Sequence, residues 1–302
     1  MKAYIAIPVY NGGYIWAQAA EKIRKYTPKD TLVQVVDSGS KDESVIVANK
    51  YGFNVSHIKS SDFNHGSTRN FLVDLHKNEY DIVIFLTQDA IPEPGFYERI
   101  INIFNNAQVS CAYGRQLPHH DSNPISKHAR YFNYHQESYI ASNNDIPRMG
   151  LKTVFTSNSF AAYRISTFME LKGFPDSTIL SEDMYFAAKS IMSGYCVAYV
   201  ADAMVHHSHN YSIQEEFKRY FDIGVFQADE AWIRKNFGGA GGEGKKFLLS
   251  EFKYLVKNNP LYIPLSVMHN FSKILGYKLG QNYKSLPTKY VRKFSMHERF
   301  WN

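Results

Sequence analysis

Ala3-Tyr4-Ile5-Ala6-Ile7-Pro8-Val9-Tyr10-Asn11-Gly12-Gly13 decides the fold class. The run from Ala3 to Val9 is short and almost wholly apolar, as a strand buried on both faces must be. A turn follows at Asn11-Gly12-Gly13, and then Ile15, Trp16, Ala19, Ala20 and Ile23 recur at helical spacing. This β-α unit is repeated. Leu32 to Val36 reads as a second strand running into Asp37-Ser38-Gly39-Ser40, where Ser40 and Glu43 have capping-box spacing for the next helix. A third strand around Val55 to Ile58 leads to a helix near Thr68 to His76. A fourth, Asp81 to Leu86, ends at Thr87-Gln88-Asp89. Alternating units with continuous apolar strands predict a mainly parallel sheet covered on both faces. Ligands bind such sheets beyond the carboxyl ends of the strands, where Asp37 and Asp89 both fall.

After Ala107 the rhythm changes. Strand material is expected near Val109 to Tyr113 and Thr153 to Arg164, with an aromatic, His-rich stretch from His119 to Tyr139 between them. Met184, Ala187, Ala188 and Ile191 predict a helix opening at Glu182, and Cys196 to Val200 a further strand. The expected organisation is therefore α/β: residues 1–212 form a catalytic domain with halves 1–107 and 108–212. Residues 213–302 follow as a helical basic and aromatic extension with a Gly-rich break at Gly238 to Gly244.

Two cysteines, Cys111 and Cys196, without metal-ligand spacing argue against a disulfide framework or structural zinc. The apolar run at the amino terminus is too short for a signal peptide and no cleavage pattern follows, so a cytoplasmic protein is expected. Net charge is +6. The carboxyl-terminal stretch from Glu243 carries eleven Lys/Arg against three Asp/Glu, and the part before it is slightly acidic. Such a basic end predicts anionic lipid or another acidic partner, and no nucleic acid is expected as a partner. The apolar segments 260–265 and 267–279 are broken by Pro264, His269, Lys273 and Lys278, which predicts a helix lying in the interface at the inner face of the plasma membrane. The competing expectation is that Phe247, Tyr254, Phe271, Phe300 and Trp301 form a core, on the catalytic body or in a homo-oligomer.

Four groups of residues could carry chemistry. Asp37 could accept from a ribose or base, or could bind its own backbone in a turn. Asp89, held open by Pro92 and Pro94, could offer a hard divalent ion an oxygen ligand, or could cap a loop. Glu182 and Asp183 sit in a first helical turn, which the helix dipole favours whatever the function. His206, His207 and His209 follow a strand; His207 and His209 share one face of an extended chain and could add nitrogen ligands.

Together these pieces resemble inverting family-two glycosyltransferases of the GT-A fold over residues 3 to 212. Pro8-Val9-Tyr10-Asn11 is similar to that family's opening strand and turn, and Val36-Asp37-Ser38-Gly39-Ser40-Lys41-Asp42 to its nucleotide motif. Phe63-Asn64-His65-Gly66-Ser67-Thr68-Arg69-Asn70 and Phe85-Leu86-Thr87-Gln88-Asp89-Ala90 resemble bacterial rhamnosyltransferases of cell-surface polysaccharides. So do Gly173-Phe174-Pro175 with Ser181-Glu182-Asp183-Met184, and His207-Ser208-His209-Asn210-Tyr211-Ser212.

The resemblance implies that Pro8, Tyr10, Asp37, Arg69, Gln88 and Asp89 bind the nucleotide-sugar donor. It implies that Asp89 and His207 hold Mg²⁺ or Mn²⁺, and that Asp183 is the general base with Glu182 as its understudy. Asn158 and His209 would touch acceptor or donor sugar. The implied donor is dTDP-rhamnose and the implied acceptor a glycan precursor, lipid-linked and destined for O-antigen. Thr87 departs from the pattern, standing where the wider family has the first aspartate of its Asp-x-Asp motif, which puts the strictness of the metal requirement in doubt.

Three rivals frame the reading. A nicotinamide oxidoreductase needs Gly-x-Gly-x-x-Gly after the first strand, and Asn11-Gly12-Gly13-Tyr14 does not supply it. A non-catalytic sugar-nucleotide or polysaccharide-binding protein, and a hexosyltransferase using a UDP-sugar, stay open on motifs alone.

Overall fold

The computed structural model describes residues 1–239 and 241–301. The strands are β1 (Ala3–Val9), β2 (Val33–Asp37), β3 (Asn54–His57), β4 (Ile82–Leu86), β5 (Ile91–Pro92), β6 (Val109–Leu117), β7 (Tyr139–Ala141), β8 (Phe160–Arg164) and β9 (Cys196–His206). The helices of the first half are α1 (Gly13–Tyr26), α2 (Ser44–Lys50), α3 (His65–Asp74), α4 (Phe96–Asn102), α5 (Pro124–Asn133) and α6 (Ile146–Met149). Then come α7 (Ile165–Glu170), α8 (Glu182–Met192), α9 (Ile213–Asp229), α10 (Ala231–Phe237), α11 (Gly241–Asn258), α12 (Ile263–Gln281) and α13 (Thr288–Phe294). Within the expected Gly-rich break, Ala240 lies outside the described residues.

The sheet order is β3-β2-β1-β4-β8-β6-β9-β5, with β7 on β9. β3, β2, β1 and β4 run parallel, as the β-α repeat requires, whereas β8 is antiparallel to both β4 and β6. Pro8 is tolerated inside β1 for a geometric reason. Ile5 N–H donates to Leu32 on the β2 side, so even-numbered residues face β4, and the β1–β4 pairing has already ended at Ala6 and Phe85. Pro8 therefore removes no rung.

Alternate residues of the strands feed two apolar layers. On one face Ile5, Ile7, Val33, Val35, Ile82 and Ile84 pack with Trp16, Ala19, Ala20 and Ile23 of α1. On the other, Phe85 and Tyr163 meet Phe174, and Tyr163 also meets Phe168 and Phe186, at ring separations of 4.9 to 5.9 Å across the whole cluster. That aromatic wedge holds the 173–175 loop and α8 against the sheet.

Two expectations from sequence fail locally. Ser40 and Glu43 form no capping box: Glu43 makes no side-chain cap bond, and the Ser40 hydroxyl accepts from Asn11 N–H at 2.9 Å instead. A tertiary partner has won over a local one. Of the segment 153–164, only Phe160–Arg164 is strand, and the stretch ending at Val154 is a 3₁₀ turn.

The chain divides into two compact units. The first comprises residues 1–117, 134–176 and 182–207 and contains the sheet. The second takes 118–133, 177–181 and everything from Ser208, so it borrows α5 from the middle of the chain. In it α9 packs along α12, and α11 along α5. No described helix is long and apolar enough to cross a membrane.

Candidate active site

The turns that end β1 and β2 are stitched to each other. Asn11 adopts φ +46°, a left-handed conformation that asparagine tolerates better than most residues, and Gly13 follows at φ +57°. In that geometry Asn11 Oδ1 accepts from Lys41 N–H, Ser44 Oγ from Gly12 N–H and Asp42 from Gly13 N–H, at 2.8 to 2.9 Å. Asp37 is buried and its carboxylate accepts from the N–H groups of Gly39 and Ser40 at 3.1 and 3.2 Å, with His57 Nδ1 3.4 Å away. It shapes its own turn. Beside it the Ser38 hydroxyl is buried with no partner among the described residues. Gln88 reaches back from β4: its Oε1 accepts from Tyr10 N–H at 2.7 Å and its Nε2 donates to Tyr10 O at 3.2 Å. Tyr10 itself is exposed. Tyr10 and Gln88 therefore meet, with Pro8 two residues behind.

Asp89 and His207 meet next. His207 N–H donates to Leu117 O, setting the residue just past the end of β9, and its Nε2 lies 3.4 Å from Asp89 Oδ2. Gln116 Nε2 donates to Ser157 Oγ at 2.9 Å, so Gln116 presents its carbonyl oxygen to His207 Nδ1, also at 2.9 Å. A carbonyl only accepts, and the hydrogen therefore sits on Nδ1. In the neutral ring the Nε2 lone pair then faces a carboxylate oxygen. Two electron-rich atoms so placed suit a cation between them, and a histidine whose second nitrogen is tied down is how metal-binding imidazoles are oriented. The donor set fits Mg²⁺ or Mn²⁺. Next to it the Thr87 hydroxyl is buried with no partner among the described residues, where a carboxylate would stand in the usual motif. His209, two residues on, belongs to the second unit, where it is exposed and its ring lies 4.9 Å from that of Tyr211.

The third cluster joins residues more than a hundred positions apart. Arg69 on α3 and Glu182 at the start of α8 form an ion pair at 3.0 Å, with side chains 5% and 6% exposed. Glu182 also accepts from Asn158 Nδ2 at 2.8 Å. Burial opposes its ionisation, but Arg69 above all, with His65 and Asn158, holds its pKa below the usual carboxylate value. Asp183 is its opposite. Burial and then the Glu182 charge push its pKa up to about 7, against hydrogen bonds from Asn158 N–H at 3.0 Å and Met184 N–H at 2.7 Å. It keeps partial access to solvent. Environment has driven two adjacent carboxylates apart, one held ionised by an ion pair and the other raised toward neutrality. Ser181, immediately before them, sits at φ +61°, an uncommon backbone for a residue with a side chain.

Ser157-Asn158-Ser159 binds these clusters together. Ser157 Oγ holds Gln116, Asn158 holds Glu182 and Asp183, and Ser159 O accepts from Thr87 N–H at 3.4 Å. The side chain of Asn158 is fully engaged, since its Oδ1 accepts from Tyr163 OH at 2.7 Å. Asn70 clamps the 173–176 loop with bonds of 2.9 to 3.1 Å to Phe174 and Asp176. Gly66 is required there, because a Cβ would overlap the Pro175 carbonyl. Sequence reasoning missed Gln116 and Ser157. The one signal in the sequence was a glutamine just beyond the apolar stretch Val109 to Gly114, and the structure buries it to 1% exposure.

A parallel half-sheet of β-α units, an antiparallel β8 and an acidic helix start beyond it are features of the GT-A fold. The chain belongs to glycosyl transferase family 2, whose model matches residues 4–172. It is 49% identical to the O-antigen chain rhamnosyltransferase RfbN of Salmonella typhimurium, over 100% of this chain and 96% of that one. It is likewise 49% identical to the O-antigen chain rhamnosyltransferase WbaN of Salmonella anatum, over 99% and 95%. Among solved structures, a mannosyltransferase of Pyrobaculum calidifontis in complex with GDP-Man and Mn²⁺ aligns with TM-score 0.59 and 16% identity, covering 99% of this chain and 84% of that one. Staphylococcus aureus TarS with UDP-GlcNAc gives TM-score 0.56, 16% identity and coverage of 98% and 84%. At such identity these structures speak to the fold alone.

Proposed function

We propose that this chain transfers L-rhamnose from dTDP-rhamnose, with inversion, onto a lipid-linked O-antigen precursor at the cytoplasmic face of the inner membrane. The observation that carries the chemistry is the split between Glu182 and Asp183. Glu182 is committed to Arg69, whereas Asp183 is a carboxylate whose pKa lies near neutrality, the range in which a base both ionises and takes a proton effectively. The two backbone N–H groups on Asp183 orient it, and each of its oxygens retains a lone pair for an acceptor hydroxyl. Asp183 removes that proton while the acceptor oxygen attacks the anomeric carbon from the face opposite the nucleotide.

Asp37 and its turn, Tyr10 and Gln88 bind the nucleoside side of the donor, and the buried Ser38 hydroxyl supports a polar ligand there. Arg69 acts behind them, through Glu182. Asp89 and His207 would hold a divalent ion, which supplies charge neutralisation to the departing diphosphate. Asn158 positions the Glu182-Asp183 pair, and His209 is assigned to the sugars. The full-length relationship to two rhamnosyltransferases supports the choice of sugar.

Thermal shift and donor consumption test this reading together. With Mn²⁺ present, dTDP-rhamnose at a hundred times its Kd should stabilise the protein by about 2.7 kcal/mol and be consumed in preference to UDP-glucose. Preference for a UDP-hexose overturns the sugar assignment. Donor binding without any turnover, in the presence of acceptor lipid, overturns the catalytic one.

A further inference from the structure

Helix α12 is inside out. Its buried residues are Ser266, His269, Ser272, Lys273, Gly276 and Gly280, all small or polar. Its apolar residues face solvent: Val267 is 62% exposed and Phe271 68%, with Met268, Ile274 and Leu275 beside them. Val267, Phe271, Ile274 and Leu275 recur at helical spacing, so they form one face, and Lys278 continues it. Just before α12, Leu261 is 92% exposed. The neighbouring α11 repeats the pattern in part. It too exposes apolar residues, Leu248, Leu249, Phe252 and Val256, although its inner face buries Leu255 as well as Glu251.

The inversion is built in rather than incidental. A Cβ on Gly276 or Gly280 would overlap the carbonyls of Phe217 and Phe221, so α12 lies backbone-close on α9. Polar bonds complete the attachment: Ser266 and Asn270 donate to Glu251, Ser272 Oγ donates to Ile213 O at 2.7 Å, and Lys273 Nζ lies 3.4 Å from Glu216. Directional contacts hold these helices inward and leave their apolar stripes outward. Contiguous exposed apolar surface of this kind marks an interaction site.

We propose that the outer faces of α11 and α12 dock on an anionic phospholipid leaflet, lying in its interface rather than crossing it. Charge selects this occupant over a second copy of the chain. The stretch from Glu243 carries eleven Lys/Arg against three Asp/Glu. Lys245, Lys246, Lys253, Lys257 and Lys278 on the two helices are all exposed. A symmetric dimer through this face would set like charges against each other, whereas phosphatidylglycerol headgroups complement them. An amphipathic helix with lysines at its apolar margin is the form such docking takes. The inference deepens the reading that the acceptor is lipid-linked, and rests on it only for its purpose, because vesicle binding needs neither donor nor turnover.

Co-sedimentation of the full-length protein with phosphatidylcholine vesicles, with and without phosphatidylglycerol, is the test. Wild type should bind the phosphatidylglycerol vesicles and release progressively as salt is raised. Val267→Ser with Phe271→Ser should lower partitioning by about tenfold per residue while leaving the melting temperature and consumption of donor in solution unchanged. Lys253→Glu with Lys257→Glu should weaken binding several-fold and blunt its salt dependence. Failure to bind anionic vesicles at low salt overturns the proposal, as does a concentration-dependent dimer that the serine variant abolishes. If vesicle binding holds and rhamnosyl transfer fails, the catalytic reading falls and the docking surface stands. If transfer to a detergent-dispersed acceptor proceeds without vesicle binding, the reverse is true.

Discussion

β4 and α12 are both apolar segments, and they spend their apolar residues in opposite ways. In β4 every residue from Ile82 to Leu86 is buried, and polar chemistry is confined to the strand end at Gln88 and Asp89. In α12 the buried positions are serine, histidine, lysine and glycine, and the apolar ones lie outside. Apolar burial follows a residue's surroundings rather than its type. In β4 the polar groups are gathered beyond the carboxyl end of the strand. In the helical unit buried polar groups fasten one helix to another, and the apolar surface is left facing outward.

The sharpest way to break this contrast is at the sheet end. Asp183→Asn should reduce transfer by about 10²–10⁴-fold, since it removes the proposed base, and yet make the protein more stable. The sign follows from linkage. The folded-state pKa of Asp183, about 7, lies above the unfolded value of about 3.9, so the folded protein holds this proton more tightly and loses stability as pH rises between the two. The gain in melting temperature, about 2–4 °C for each ~1 kcal/mol relieved, should therefore be full at pH 8 and absent near pH 4. Wild-type transfer should fall as pH drops through about 7. A variant that melts lower at pH 8 would refute the strained-carboxylate picture, and transfer within twofold of wild type would remove Asp183 from the base role.

Next in size is Arg69→Met, which strands a buried Glu182 charge and should cost about 3–5 kcal/mol in urea unfolding. The double change with Glu182→Gln should recover most of that stability. If the single variant loses under 1 kcal/mol, the buried Arg69–Glu182 pair does not hold this part of the structure together.

Gln116→Leu removes the acceptor on His207 Nδ1 without changing Asp89 or His207, the proposed metal ligands. It should raise the Mn²⁺ concentration needed for half-maximal donor binding by about 10–100-fold, and saturating Mn²⁺ should restore activity. An unchanged metal titration would mean that His207 is held by other groups.

The smallest effect is expected on the helices, and it is diagnostic for being small. Phe271→Ser should leave stability within about 0.5 kcal/mol. Phe221→Ala, fully buried on α9, should cost about 3–5 kcal/mol by denaturant titration. Comparable losses at the two positions would place Phe271 in a core and erase the contrast.

Much of the fold could be read along the chain. β1, β2 and β4, the helix from Glu182 and the strand ends bearing Asp37 and Asp89 follow from periodicity and turn chemistry, which are local. Local signals also misled. Ser40 and Glu43 have the spacing of a cap, but the Ser40 hydroxyl is taken by Asn11, brought to it by the β1–β2 pairing. Phe271, expected in a core, is exposed within the single chain, because spacing identifies a helical face without saying what covers it.

What the amino-acid order determined by itself is the βα repeat, the acidic strand and helix ends, and the basic carboxyl-terminal stretch, since each depends on residues within a few positions of one another. Only the tertiary structure decided that Glu182 belongs to Arg69 and Asp183 to itself, that Gln116 sets the tautomer of His207, and that α12 turns its glycines inward. Those outcomes depend on distance and desolvation between residues far apart in the chain. The pairs concerned are Arg69 with Glu182, Gln116 with His207, and Gly280 with Phe221.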